Sequence, residues 1–183
     1  MGKLNNTKEA QLEQNLIDLL CAQHGQWTFR SDLKTEEDLW NNLRNIIEIR
    51  NKSELNDNML TDSEFERIQS EILANTKTPF EAAKWLRGEK GKCSVVLERD
   101  NGLGRIELII YSNIEKNGGF SSYEIVHQIA KNKSNLEERS RRFDITLLIS
   151  GLPIIQIELK TAIAKDGVKQ AYYQIEKYID EGT

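Results

Sequence analysis

The sequence predicts an α/β (α+β) fold: a central mixed β-sheet of four to five strands flanked by helices, with a helical N-terminal part. Three observations predict it. Helical periodicity dominates the chain up to about residue 90. From Cys93 onward, β-rich runs bounded by turn residues take over. Helical periodicity returns in the last stretch, KDGVKQAYYQIEKYID. Helices, then strands, then a helix is an order that packs helices against a mixed sheet.

Taken in order, KEAQLEQNLIDLLCA, from about Lys8 to Ala22, places Leu12, Leu16, Ile17, Leu19 and Leu20 at helical spacing. Glu9 and Glu13 fall in line with this apolar stripe rather than opposite it. An ionised Glu rarely faces inward without a partner, so the stripe either opens there onto a polar cleft or frays into solvent. Thr35 is positioned to cap EEDLWNNLRNIIEIRN, whose first turn is acidic. Thr61-Asp-Ser-Glu64 and Thr78-Pro-Phe-Glu81 are capping-box patterns opening two further helices, the second with Pro at its first position. The expected strands are SVVLE, GRIELIIY, YEIVHQIA, FDITLLIS and IIQIELK, separated by Asp-Asn-Gly, Asn-Gly-Gly and Ser-Gly turn signals.

The 183 residues, 38% hydrophobic and 30% charged, suit one domain, 1–183, with a helical part about 1–90 and a β-rich core about 93–183. The chain has no apolar run long enough for a transmembrane helix and no signal-peptide core at its start, which points to a cytoplasmic protein. Cys21 and Cys93 have no metal-type spacing and read as reduced thiols. A net charge of −4 disfavours a free-standing nucleic-acid binder. It is compatible with a nuclease whose DNA affinity comes from local patches or from other parts of an assembly; Arg139, Arg141 and Arg142 suit either contact with backbone phosphate or neutralisation of nearby acids.

The stretch RRFDITLLISGLPIIQIELK, residues 141–160, concentrates the chemistry. If Gly151-Leu152-Pro153 forms a three-residue hairpin loop, Asp144 faces Lys160 and Glu158 is its diagonal neighbour. Directly opposed residues have Cβ atoms roughly 5 Å apart. A one-residue slip would send Asp144 to the other face. Two carboxylates in one patch suit a hard divalent cation such as Mg2+, and a nearby Lys suits orientation of water or stabilisation of negative charge. The plain alternative is a solvated hairpin face with a weak cross-strand ion pair. Gln174 and Tyr178 lie one helical turn apart on one face, suited to a phosphate backbone, to holding the lysine, or to ordinary packing.

With these residues in view, the chain resembles the N-terminal nuclease region of the type I restriction enzyme R subunit, within the PD-(D/E)xK nuclease superfamily. The resemblance rests on Arg142-x-Asp144, the Gly-Leu-Pro turn, Glu158-Leu-Lys160, KTEEDLWNNLRNIIEIRN, MLTDSEFERI and YEIVHQIA, and it covers essentially the whole chain. It implies a restriction-endonuclease-like core. It also implies a Mg2+-dependent DNA endonuclease, with Mn2+ as a substitute, cutting double-stranded DNA without its own sequence choice. Asp144, Glu158 and Lys160 would be catalytic, and Asp144 and Glu158 would hold the metal. Gln174 and Tyr178 match a QxxxY motif; Glu9 or Glu13 matches a supporting acid; Gln128 ends a family strand. Phe143 stands where the superfamily's name has Pro. The methylation and specificity subunits are the implied partners. An ATP-driven translocase belongs to full R subunits, but Gly88-Glu-Lys-Gly-Lys-Cys93 lacks the spacing and hydroxyl of a phosphate-binding loop. ATP is therefore expected to act only through a motor elsewhere in a longer chain, from which this is a fragment. A catalytically silent docking module of the same assembly, or a stand-alone RecB-like nuclease, is the alternative.

Overall fold

The structure, a computed structural model, describes residues 2–22, 26–112, 121–129, 144–160 and 166–180. Among these residues, helices α1 (Gly2–Ala22), α2 (Glu36–Arg50), α3 (Asp62–Asn75), α4 (Pro79–Arg87) and α5 (Gly167–Asp180) accompany six strands. These are β1 (Thr28–Phe29), β2 (Lys92–Glu98), β3 (Arg105–Ser112), β4 (Tyr123–His127), β5 (Ile145–Ile149) and β6 (Leu152–Ile157). All five expected strands are present, and β1 is an addition too short to show a periodic signal.

The chain forms two compact units: Met1–Trp40 with Ser122–Thr183, and Asn41–Ser121. The change from helical to β-rich sequence near residue 90 falls inside the second unit, and α1 belongs with the C-terminal strands.

The first unit holds a four-stranded sheet in the order β1-β4-β5-β6. It is mixed, because β1 runs parallel to β4 while the other pairs are antiparallel. Its inner strands are buried on both faces. On one face Ile125, Ile145 and Leu147 pack with Ile17 of α1, backed by Leu16, Leu20, Trp27 and Phe29. On the other, Val126 and Leu148 pack with Leu33, Ile129 and Leu39. This accounts for the near-continuous burial along ITLLI, where a half-exposed strand would alternate.

The second unit pairs β2 and β3 as a separate two-stranded antiparallel ladder, so the five expected strands do not share one sheet. Cys93, Val95 and Leu97 alternate inward on β2 and Leu108 and Ile110 on β3, and α3 and α4 pack against β2. The expected capping box at α3 forms: Thr61 Oγ1 accepts from Glu64 N–H at 3.1 Å, and Glu64 Oε2 accepts from Thr61 N–H at 2.9 Å. The same carboxylate, 0% exposed, accepts from Arg99 Nε at 2.7 Å and from Asp100 N–H at 2.8 Å. With these partners it stays ionised, its pKa lowered because Arg99 and the backbone donors outweigh the burial that raises it. Asn51 bonds both the N–H and the C=O of Ile109, next to the β2–β3 bulge, tying the end of α2 to β3. Both cysteines are free, and burial pushes the Cys93 thiol up to about 12.

Candidate active site

The expected three-residue loop is not what forms. Ser150 and Gly151 make a two-residue turn, both with positive φ (54° and 78°), the geometry that matches the twist of a tight hairpin. Strand β6 therefore begins at Leu152, and a register shift at Leu147/Leu148 absorbs the extra residue. Ile145 then pairs with Ile157, which brings Asp144 level with Glu158 rather than with Lys160. The change of partner is two residues, an even number, so the carboxylates are not sent to opposite faces as an odd slip would send them.

Glu158, Leu159 and Lys160 follow the end of β6. The Leu159 N–H donates to Asp144 Oδ2 at 2.7 Å, which fixes that carboxylate and leaves its other oxygen unengaged by this bond. The Glu158 side chain is 1% exposed, and neither of its oxygens accepts a hydrogen bond from a described residue. Lys160 Nζ stands 3.8 Å from Glu158 Oε2, an electrostatic neighbour beyond hydrogen-bond reach. Burial first, and the Asp144 carboxylate second, push the Glu158 carboxyl up to about 7.

Helix α1 delivers a third carboxylate. Glu13 is 7% exposed and accepts from Gln128 Nε2 at 3.1 Å. Burial raises its pKa, and Asp144 and Glu9 push the same way. Its charge also acts on Glu158. Glu13, rather than the half-buried Glu9 one turn earlier, is thus the first-helix acid engaged with this cluster. Its placement in the stripe follows from the helix: Ile17, one turn later, enters the core beneath the same sheet. Gln128 reaches it from the residue where β4 stops, with φ at 49°. His127 gives no signal in the sequence, being a lone His on a strand. Its Nδ1 lies 3.9 Å from Glu13 Oε2, its ring meets Phe29 edge-on, and burial lowers its pKa.

Gln174 sits half-buried on α5, one turn before Tyr178, whose side chain lies outside the described residues. Arg139, Arg141 and Arg142 also lie outside them. No three His, Cys, Asp or Glu side chains among the described residues are close enough to form a preassembled metal cage. Mg2+ does not ask for one, since it keeps several waters and takes one or two carboxylates plus phosphate oxygens. The buried Glu158 carboxylate, without a hydrogen bond among the described residues and beside a second carboxylate, fits such an ion, because a divalent charge would offset the burial and the carboxylate crowding that raise its pKa.

Residues 6–183 match the family described as type I restriction enzyme R protein N terminus. A type I restriction enzyme endonuclease subunit from Staphylococcus saprophyticus is 30% identical over 146 residues, 80% of this chain and 14% of that protein. Another from Staphylococcus aureus strain COL is 28% identical over 149 residues, 81% of this chain and again 14% of that protein. The chain thus corresponds to a small part of these relatives' length. No described helix is long and apolar enough to cross a membrane. With the family matched across nearly its whole length, this chain belongs to the N-terminal region of type I restriction enzyme R proteins.

Proposed function

We propose that the chain is the DNA-cleaving domain of a type I restriction R subunit, a PD-(D/E)xK nuclease that hydrolyses phosphodiester bonds in double-stranded DNA with Mg2+. The observation that carries this reading is the Glu158 carboxylate, buried, without a hydrogen bond among the described residues and level with Asp144, with Lys160 beside it as its one nearby cation among those residues. A buried carboxylate rarely goes without hydrogen bonds unless a ligand or ion takes their place. Asp144 and Glu158 would hold the metal, which would supply an activated water and offset charge developing on phosphorus. The chain's own groups then have distinct work. The Leu159 N–H holds Asp144 in place. Gln128 holds Glu13, whose negative charge faces the same cluster and supports cation binding. Lys160, cationic and set beside Glu158, orients the attacking water or stabilises the negative charge of the pentacoordinate transition state. Gln174 and Tyr178 contact the DNA backbone or the lysine. Sequence choice belongs to a specificity subunit, and ATP to a motor elsewhere in the R subunit.

The test is cleavage of duplex DNA by the assembled restriction enzyme carrying substitutions in this chain. Asp144→Ala, Glu158→Ala and Lys160→Ala are each expected to lower cleavage by at least about 100-fold, with circular dichroism and subunit assembly unchanged. A Glu158→Ala enzyme that cut at the wild-type rate would refute the assignment.

A further inference from the structure

We propose that the outer face of α4 and the turn that follows it form a second DNA-contacting surface, a basic ridge that binds backbone phosphates. This rests on the proposed function and adds a substrate-binding surface to it. Along α4, Phe80, Lys84 and Arg87 occupy positions i, i+4 and i+7, one stripe of the helix, and all three are exposed. Ala82, Trp85 and Leu86, on the remaining circumference, are half-buried. Lys77 precedes the N-cap, and Lys90 and Lys92 continue past the C-terminus, all exposed. The chain between Arg87 and Lys92 is drawn into a tight turn by paired hydrogen bonds between Glu89 and Lys92, so the cations follow one another closely.

The distribution of charge in this unit sets the ridge apart. Arg44, Lys52, Arg67 and Arg99 each pair with a carboxylate, and Arg50 donates to the Ile110 carbonyl. Arg105 lies opposite Glu98 in the β2–β3 ladder. Lys77, Lys84, Arg87, Lys90 and Lys92 have no ion pair among the described residues. Two acids share the stretch: Glu81, whose carboxylate accepts from the Thr78 hydroxyl at 3.0 Å, and Glu89 in the turn. Five unpaired cations against two acids make a local positive field on a chain whose net charge is −4. Complementing the helix dipole would account for Lys84 and Arg87 in the last turn, but that effect is confined to the turn and leaves Lys77, Lys90 and Lys92 without a role. Phe80 is 79% exposed in the same stripe, a ring that would lie against sugar or an unstacked base. Phosphates in a row are the ligand that matches unpaired cations in a row.

The experiment is fluorescence anisotropy of a random-sequence duplex titrated with the 183-residue chain, in chelator, across a range of salt. The ridge variant combines Lys84→Gln, Arg87→Gln, Lys90→Asn and Lys92→Gln; the control combines Lys52→Gln and Arg105→Gln. Every phosphate that is no longer neutralised lowers the salt slope by roughly 0.9, so the ridge variant should show a slope smaller by about 2–4 and affinity weaker by about tenfold or more at low salt. The control should bind like wild type. Wild-type binding by the ridge variant, an equal loss in the control, or no duplex binding by the wild-type chain would overturn the proposal and leave the ridge as a surface for an acidic protein partner. Loss of binding in the ridge variant with normal cleavage by an Asp144→Ala enzyme would sink the nuclease reading and keep the ridge.

Discussion

Glu158 combines a side chain out of solvent, no hydrogen bond among the described residues, and a second carboxylate alongside. Its folded-state pKa of about 7 stands above the ordinary 4.5, so between those values the folded chain binds more proton than the unfolded chain. The stability this group contributes is complete below pH 4.5 and is lost as pH rises through about 7, a difference on the order of 3 kcal/mol. Without divalent metal, Glu158→Gln should therefore melt close to wild type at low pH and several degrees above it once pH exceeds 7. Parallel melting curves for the two proteins across that range would contradict the cause assigned here. At this scale the sequence already singles out the groups that the fold brings together: Asp144, Glu158, Lys160 and an inward Glu on α1 all stand out as polar residues in apolar patterns. It leaves Glu9 and Glu13 undecided, because helical periodicity puts both in the stripe. Only the position of Gln128 at the end of β4 separates them.

Register is decided by the elements. The Gly-Leu-Pro string suggests a three-residue loop, and the chain instead uses Ser150-Gly151 in left-handed conformations with the surplus residue taken up within the ladder. Loop length and bulge together fix the pairing, and a bulge has no signature in alternation alone. Capping is better marked. Thr61 and Thr78 both cap at the expected spacing, since a side-chain oxygen three residues before a free N–H is a local match. Only Thr61 completes the capping box, the Glu81 carboxylate taking the Thr78 hydroxyl instead of its backbone N–H. The turn between α4 and β2 makes its own prediction. Gly88 has φ 51°, and a Cβ there would lie 1.7 Å from the Lys92 carbonyl oxygen. Gly88→Ala must both adopt a strained backbone and displace β2, which should cost at least about 1–3 kcal/mol. Urea unfolding with a midpoint equal to wild type would show that the turn is looser than its geometry.

Across the whole molecule, sequence order and spatial grouping differ. The boundary between helical and β-rich composition is visible in the sequence, but the membership of the two units is not. The reason is that α1 completes the sheet core through Ile17, more than a hundred positions from its partners Ile125, Ile145 and Leu147. Packing at that separation leaves no periodic trace. Ile17→Ala should accordingly destabilise the first unit by about 2–5 kcal/mol, read as earlier loss of hydrogen-exchange protection in β4 and β5. Unchanged protection there would deny α1 its place in that core. The same helix carries Glu13, so one element supplies both the core and the acidic cluster. The proposed function turns on that cluster being a place for a divalent cation. Calorimetric titration of Mn2+ into the wild-type chain, Asp144→Ala and Glu158→Gln, with a noncleavable duplex present, is the most direct test. Binding to the wild type that disappears in both variants is the predicted result. Equal binding in all three, or no binding in any, would contradict it.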